Sequence, residues 1–359
     1  MKFTLGNNML CLLLLTALLP GCRQARNETR HPVASVAETA LLLDYLEQNG
    51  NLINGPFLPA LIGPEEVYGR LQASNMLVID LRTPEAFSRG HIPLSVNVRP
   101  DAILDYFEQQ IDPPAFGQIV LVCNNAMLSG YVNAILLFLG YDNVLSLRNG
   151  LSSWDMDIAS NYWLKAMSDS LEGRLETTPH PKAPAAELPA IATGESSGYR
   201  ILRARAREVL SIQAADINVP VTRLLENPEA YYIVNYWPQA LYESGHLPGA
   251  VQYAPKYSLH SSTYLNTLPA GKPLVVYCFT GHHSAYVTGF LRLLGYQAYN
   301  LPYGANSFIH STMLSTQADS RSFTSESVAG YPLSTPEAPA QPTSGESQET
   351  LAPPIPGGC

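Results

Sequence analysis

Uninterrupted apolar runs are the clearest feature of the chain. Met76 to Leu81 reads MLVIDL, an apolar run that takes in one charge near its end. Ile119 to Cys123 reads IVLVC and leads through a turn into a helical pattern from Ser129 to Leu139. The same order returns later: Tyr232 to Val234 is followed by Leu274 to Cys278, then by a helical stretch from Ser284 to Leu294. A short run that is apolar throughout, rather than alternating, predicts a strand covered on both faces. Strands that alternate with helices predict a parallel sheet with helices on both sides. Ligands of such sheets collect at the carboxyl ends of strands. Cys123 and Cys278 both stand there.

The two halves are copies of one pattern. Gly90-His91-Ile92-Pro93 recurs as Gly245-His246-Leu247-Pro248, Cys123 as Cys278, Ser129 as Ser284, and Leu139-Gly140-Tyr141 as Leu294-Gly295-Tyr296, all at one offset of 155 residues. A constant offset implies two domains with one fold. Ser35 and Glu38 form a capping-box pattern ahead of Val36, Ala40, Leu43 and Leu46, and Gly50 can stop that helix. This extra helix is expected to pack on the first domain. The chain therefore divides into a leader (1–22), an N-terminal segment with one helix (23–57), a first domain (58–165), a linker (166–199), a second domain (200–331) and a tail (332–359).

Composition fits this division. A length of 359 residues suits two domains, and 46% hydrophobic residues are enough for their cores. The net charge of −9 speaks against a nucleic-acid partner, which needs a basic face. The leader has one lysine before an apolar run of only 11 residues, Met9 to Leu19. A membrane-spanning helix takes about 20 residues, so the run suits a secretory signal instead. It ends in Leu19-Pro20-Gly21-Cys22, which resembles the lipobox of bacterial lipoproteins. That resemblance implies lipidation of Cys22 and a protein held at the bacterial cell envelope, on the outer membrane or the periplasmic face. From about Gln317 the chain turns to Ser, Thr, Pro and Glu, with seven prolines between Pro332 and Pro356. This composition predicts a segment that does not fold. Cys359 ends it as a free thiol.

The second cysteine loop reads Cys278-Phe279-Thr280-Gly281-His282-His283, with Ser284 opening the helix. A cysteine between strand and helix can sit in a cradle of inward-turned amides, which favours a thiolate or a persulfide anion. Gly281 permits a positive backbone dihedral. His282 and His283 can donate hydrogen bonds and would gain charge as pH falls toward about 6.5. No metal site is expected, because Cys278, His282 and His283 lack a second ligand cluster. A phosphatase needs Cys-x5-Arg, and Ser129 and Ser284 occupy the arginine position. His91 and His246 fit structural roles. A Cys123–Cys278 disulfide is not expected, since the loops of duplicated domains rarely meet.

These segments resemble the rhodanese (sulfurtransferase) superfamily, and the whole chain resembles tandem-domain bacterial rhodanese-like lipoproteins. The residues that carry the resemblance are Val78-Ile79-Asp80-Leu81-Arg82, Gly90-His91-Ile92-Pro93, the loop from Cys278 to His283, and Leu294-Gly295-Tyr296. It implies two tandem α/β domains, each a mainly parallel five-stranded sheet with helices on both faces. It also implies transfer of sulfane sulfur from a small donor to a thiol or cyanide-like acceptor, without a cofactor, through a persulfide on Cys278. Residues Phe279 to Ser284 would then bind the donor, and Cys123 is a second candidate site. Three departures qualify this. Ala126 replaces the glycine of the second loop, Asn235 and Trp237 replace Asp80 and Arg82, and neither loop has an arginine or lysine pair for thiosulfate. A persulfide or polysulfide donor, or a degenerate protein that binds or senses sulfur species or a partner, follows as the alternative.

Overall fold

A computed structural model describes residues 34–316 and 321–335. The first sheet consists of β1 (Leu61–Ile62), β2 (Met76–Asp80), β3 (Val96–Asn97), β4 (Gln118–Val122) and β5 (Val144–Leu147), in the order β1-β5-β4-β2-β3. The second consists of β6 (Tyr232–Asn235), β7 (Val251–Gln252), β8 (Leu274–Tyr277) and β9 (Ala298–Asn300), in the order β7-β6-β8-β9. Every strand pair is parallel. The expected five-stranded second sheet therefore has four strands. Its fifth position is reduced to one parallel bridge between Asn218 and Asn300, where Val219 N–H donates to the Asn300 carbonyl at 2.9 Å.

Side chains alternate across each sheet as the pleat requires. Ile119 and Leu121 face one cluster, while Val120 and Val122 face another. In β8, Leu274 and Val276 join the first cluster, and Val275 and Tyr277 turn away from it. One apolar core thus lies between the two sheets, and each sheet keeps a smaller core on its outer face.

Four longer helices are α1 (Val36–Gln48), α2 (Met127–Phe138), α3 (Gly198–Leu210) and α4 (His282–Leu293). All residues of α4 are buried, and so are nearly all of α2. Helices without a wet face belong inside a core. Glycine allows their close approach: a Cβ on Gly130 would lie 3.1 Å from the Tyr286 ring, and one on Gly289 would lie 3.2 Å from the Tyr131 carbonyl. The carbonyls at the end of α4, which lack partners within the helix, are met by Arg205 of α3, which donates to Arg292 at 2.6 Å and Leu293 at 3.1 Å.

Two expectations change. First, α1 packs chiefly against α3, with further bonds to the linker and the second domain: Thr39 donates to the Pro189 carbonyl, and Glu47 accepts from Ser261. Ser35 caps α1 through Ala37 N–H, but Glu38 does not close the capping box; it accepts from Thr193 and Gly194. Second, residues 321–335 of the presumed unfolded tail are packed. Phe323 is buried, and Tyr331 stacks on Tyr68 with ring centroids 4.0 Å apart. The linker is anchored to the domains it joins at several points, with Leu171 and Ile191 buried. Cys22, the leader and Cys359 lie outside the described residues, and no described helix is long and apolar enough to cross a membrane.

Candidate active site

Each cysteine follows directly on the central strand of its sheet, β4 or β8, and a short loop leads to α2 or α4. The loop carbonyls are held from below by the turn after the next strand. Cys123 accepts from Leu151 N–H at 2.8 Å and Asn124 from Ser152 N–H at 3.0 Å; Cys278 accepts from Ala305 N–H at 3.1 Å and Phe279 from Asn306 Nδ2 at 2.8 Å. Gly304 makes this possible: it has φ +54, and a Cβ there would lie 2.2 Å from the Cys278 carbonyl oxygen. With carbonyls committed to the turn, donors reach the sulfur from the helix side. Ser129 N–H points at Cys123 Sγ across 3.4 Å and the Ser284 hydroxyl at Cys278 Sγ across 3.6 Å, whereas the Ser129 hydroxyl oxygen accepts from Cys123 Sγ at 3.6 Å.

Both loops share one backbone shape despite Ala126. Its φ is +72, against +84 at Gly281. A left-handed alanine costs roughly 1–2 kcal/mol, a strain the surrounding core holds in place. Gly281 meets a second demand. A Cβ there would come within 2.7 Å of Met127 Sδ and 2.8 Å of Tyr303 N.

The two loops, expected to stay apart, face each other across the domain boundary. Asn149 N–H donates to His282 Nε2 at 3.1 Å, Asn125 donates to the Tyr303 hydroxyl at 3.0 Å, and Asn300 Nδ2 lies 3.2 Å from Met127 Sδ. Trp163 closes the group against Tyr303 and Phe323. Cys123 and Cys278 are nevertheless both free thiols.

Burial overturns the expected charge on the histidines. His282 accepts at Nε2, so its proton is on Nδ1, 2.8 Å from Thr280 Oγ1. Neither ring nitrogen of His283 has a partner among the described residues, and its ring stands edge-on to Tyr236. Burial, with Arg148 adding to it at His282 and Lys256 at His283, pushes both imidazoles down to about 3. They are neutral near pH 6.5, not cationic.

Access also differs between the copies. Cys278 is 0% exposed under a loop buried from Phe279 to Ser284, whereas Cys123 is 3% exposed beside half-buried Asn124 and Asn125. The framework residues explain part of this. Arg82 makes a two-pronged pair with Asp80 (3.0 and 2.7 Å) and donates to the Gly90 carbonyl. In the second copy Asn235 donates to the Tyr277 hydroxyl, and Trp237 stacks flat on Phe279 at 4.7 Å, an apolar joint in place of an ion pair. Sequence reading missed Asn149, Tyr303, Trp163 and Arg148. The one signal for Asn149 and Tyr303 is the glycine directly after each, Gly150 and Gly304.

A family model described as "Rhodanese-like domain" matches residues 63–157 and 221–311, over half of the chain. The chain belongs to the rhodanese-like family. A segment of 92 residues is 32% identical to the thiosulfate sulfurtransferase GlpE of Pseudomonas syringae, covering 25% of this chain and 83% of that protein. The corresponding protein of Pseudomonas entomophila is 29% identical over 94 residues, covering 26% of this chain and 82% of its own. Among solved structures, a thiosulfate sulfurtransferase from Pseudomonas aeruginosa is 20% identical with a TM-score of 0.29, covering 71% of this chain and 45% of that one. The rhodanese-like assignment rests on the sequence matches. The first matched segment holds β2 to β5 and the second holds the whole second sheet.

Proposed function

We propose that this rhodanese-like protein is a sulfurtransferase that carries sulfane sulfur as a persulfide on a loop cysteine. The observation that carries the reading is a backbone donor at sulfur: Ser129 N–H, at the start of the helix, points at Cys123 Sγ across 3.4 Å, as an anionic sulfur requires. The thiolate attacks the transferable sulfur of the donor, a new S–S bond forms, and the donor's bond to that sulfur breaks, S–S in thiosulfate or a polysulfide and C–S in 3-mercaptopyruvate. The leaving group, sulfite in the case of thiosulfate, takes that electron pair. An acceptor thiolate or cyanide then attacks the outer persulfide sulfur and frees the cysteine thiolate.

The sequence favours Cys278 as carrier. Both thiols are buried, but Cys123 lies beside half-buried Asn124 and Asn125 while the loop over Cys278 is buried throughout, so Cys123 is the thiol loaded first. A second reading, a protein that binds or senses sulfur species without turnover, is favoured by the sealed second loop and its neutral histidines. One experiment separates them. The purified chain is incubated with thiosulfate, 3-mercaptopyruvate or polysulfide and weighed intact. One added sulfur atom, removed by cyanide, retained in Cys278→Ser and lost in Cys123→Ser, is expected. Loss only in Cys278→Ser moves the carrier to the second domain, and no adduct from any donor leaves the binding reading.

The leader supports a lipid anchor at Cys22 and an envelope location. Labelled palmitate fed to expressing bacteria should enter the wild-type chain and not Cys22→Ser. Equal labelling of both would remove the anchor.

A further inference from the structure

The linker reaches the second domain at a point remote in sequence from both cysteine loops. Glu176 and His246 pair as an antiparallel bridge, each N–H donating to the other's carbonyl at 2.9 Å. His180 follows one helical turn's worth of residues later and lies beside them. One ligand atom from each of Glu176, His180 and His246 lies within 4.8 Å of the other two.

His246 is the decisive member. Its ring is fully buried and stacked on Tyr242. Nδ1 lies 2.7 Å from the Tyr242 carbonyl, which can only accept, so Nδ1 carries the proton and Nε2 presents a bare lone pair. That buried Nε2 has no hydrogen-bond partner among the described residues. An imidazole fixed through one nitrogen with the other left open is how proteins prepare a metal ligand. Glu176 Oε2 accepts from His180 Nε2 and from Gly249 N–H, both at 2.9 Å, and these bonds hold its carboxyl below the usual range. Both side chains are about a third exposed, so the group is open to solvent on one side.

We propose that Glu176, His180 and His246 bind a divalent transition-metal ion of the zinc type, which clasps the linker to the second domain. Two imidazoles and one carboxylate suit zinc with a fourth position left to water, whereas calcium and magnesium prefer oxygen ligands. On binding, the His180 tautomer with its proton on Nδ1 presents the Nε2 lone pair to the ion in place of the hydrogen bond to Glu176. The first copy supplies an internal contrast. His91 is anchored in the same way to the Phe87 carbonyl and bridges to residue 334, but that residue is Ser334, which has no carboxylate.

The test uses the full chain, stripped of metal and titrated with Co²⁺, with Zn²⁺ as competitor. One equivalent of Co²⁺ should give the visible bands of a four-coordinate site, Zn²⁺ should abolish them, and Zn²⁺ should raise Tm by several degrees. Glu176→Gln and His180→Ala, both partly exposed and checked for folding by circular dichroism, should each weaken binding at least tenfold. The Cys123→Ser/Cys278→Ser double variant should bind normally. Absence of bands and of a Tm shift, undiminished binding in His180→Ala, or binding lost in the cysteine double variant would each overturn the clasp. None of these readouts involves sulfur loading, so the clasp and the sulfurtransferase reading can fail separately.

Discussion

At the scale of single residues, the site is governed by desolvation more than by formal charge. His282 and His283 look from the sequence like a cationic pair for an anionic donor, yet burial keeps both neutral. This has a consequence for stability. The folded-state pKa lies near 3 and the unfolded value near 6.5, so between these the unfolded chain binds more protons. The penalty is absent above about pH 6.5 and grows as pH falls below it, reaching about 2 kcal/mol per histidine at pH 5. Urea unfolding at pH 7.5 and pH 5 should show this drop, and His283→Gln should remove about half of the histidine share. An unchanged drop in that variant would place the protons elsewhere. Ala126 teaches a related lesson. Its side chain alone argues against the left-handed backbone, but packing imposes it.

At the scale of elements, the pair α2 and α4 decides the architecture. Gly130 of one faces Ala285 and Tyr286 of the other, and Gly289 faces Tyr131 and Ala134, so each helix supplies one small residue to the crossing. Polar bonds lock it further: Tyr286 donates to the Ala60 carbonyl at 2.9 Å and accepts from Asn133 at 2.6 Å. Gly130→Leu should overpack this contact and cost about 3 kcal/mol, seen as a lower urea midpoint. A loss under about 1 kcal/mol would mean that the helices can separate freely. The sequence shows both helices and both cysteine-bearing strands within a residue or two, because an unbroken apolar run is a local property. It does not show that the helices pack on each other, because a fully buried helix has no polar face to reveal which side meets which partner.

At the scale of the molecule, the two domains exchange their trailing segments. The chain after the first domain pairs with the second at Glu176 and His246, with Leu175 against Gly245. The chain after the second returns to the first, where Ser334 pairs with His91 and Leu333 lies against Gly90. Trp154 donates to the Pro332 carbonyl at 3.1 Å, beside the stacked rings of Tyr331 and Tyr68. Averaged composition predicts no fold for this stretch. A few anchors, Phe323, Tyr331 and Leu333, are enough once a preformed surface waits for them, because apolar burial depends on where residues land rather than on their local density.

The duplication, the parallel α/β sheets, the strand-end position of both cysteines and the glycine of the second loop were determined by the sequence alone, since each follows from local spacing and local backbone freedom. The meeting of the loops, the sealing of Cys278, the neutrality of His282 and His283 and the gathering of Glu176, His180 and His246 were decided only by the tertiary structure. Solvent exclusion and long-range proximity set these features, and both depend on which distant surfaces come to cover a residue.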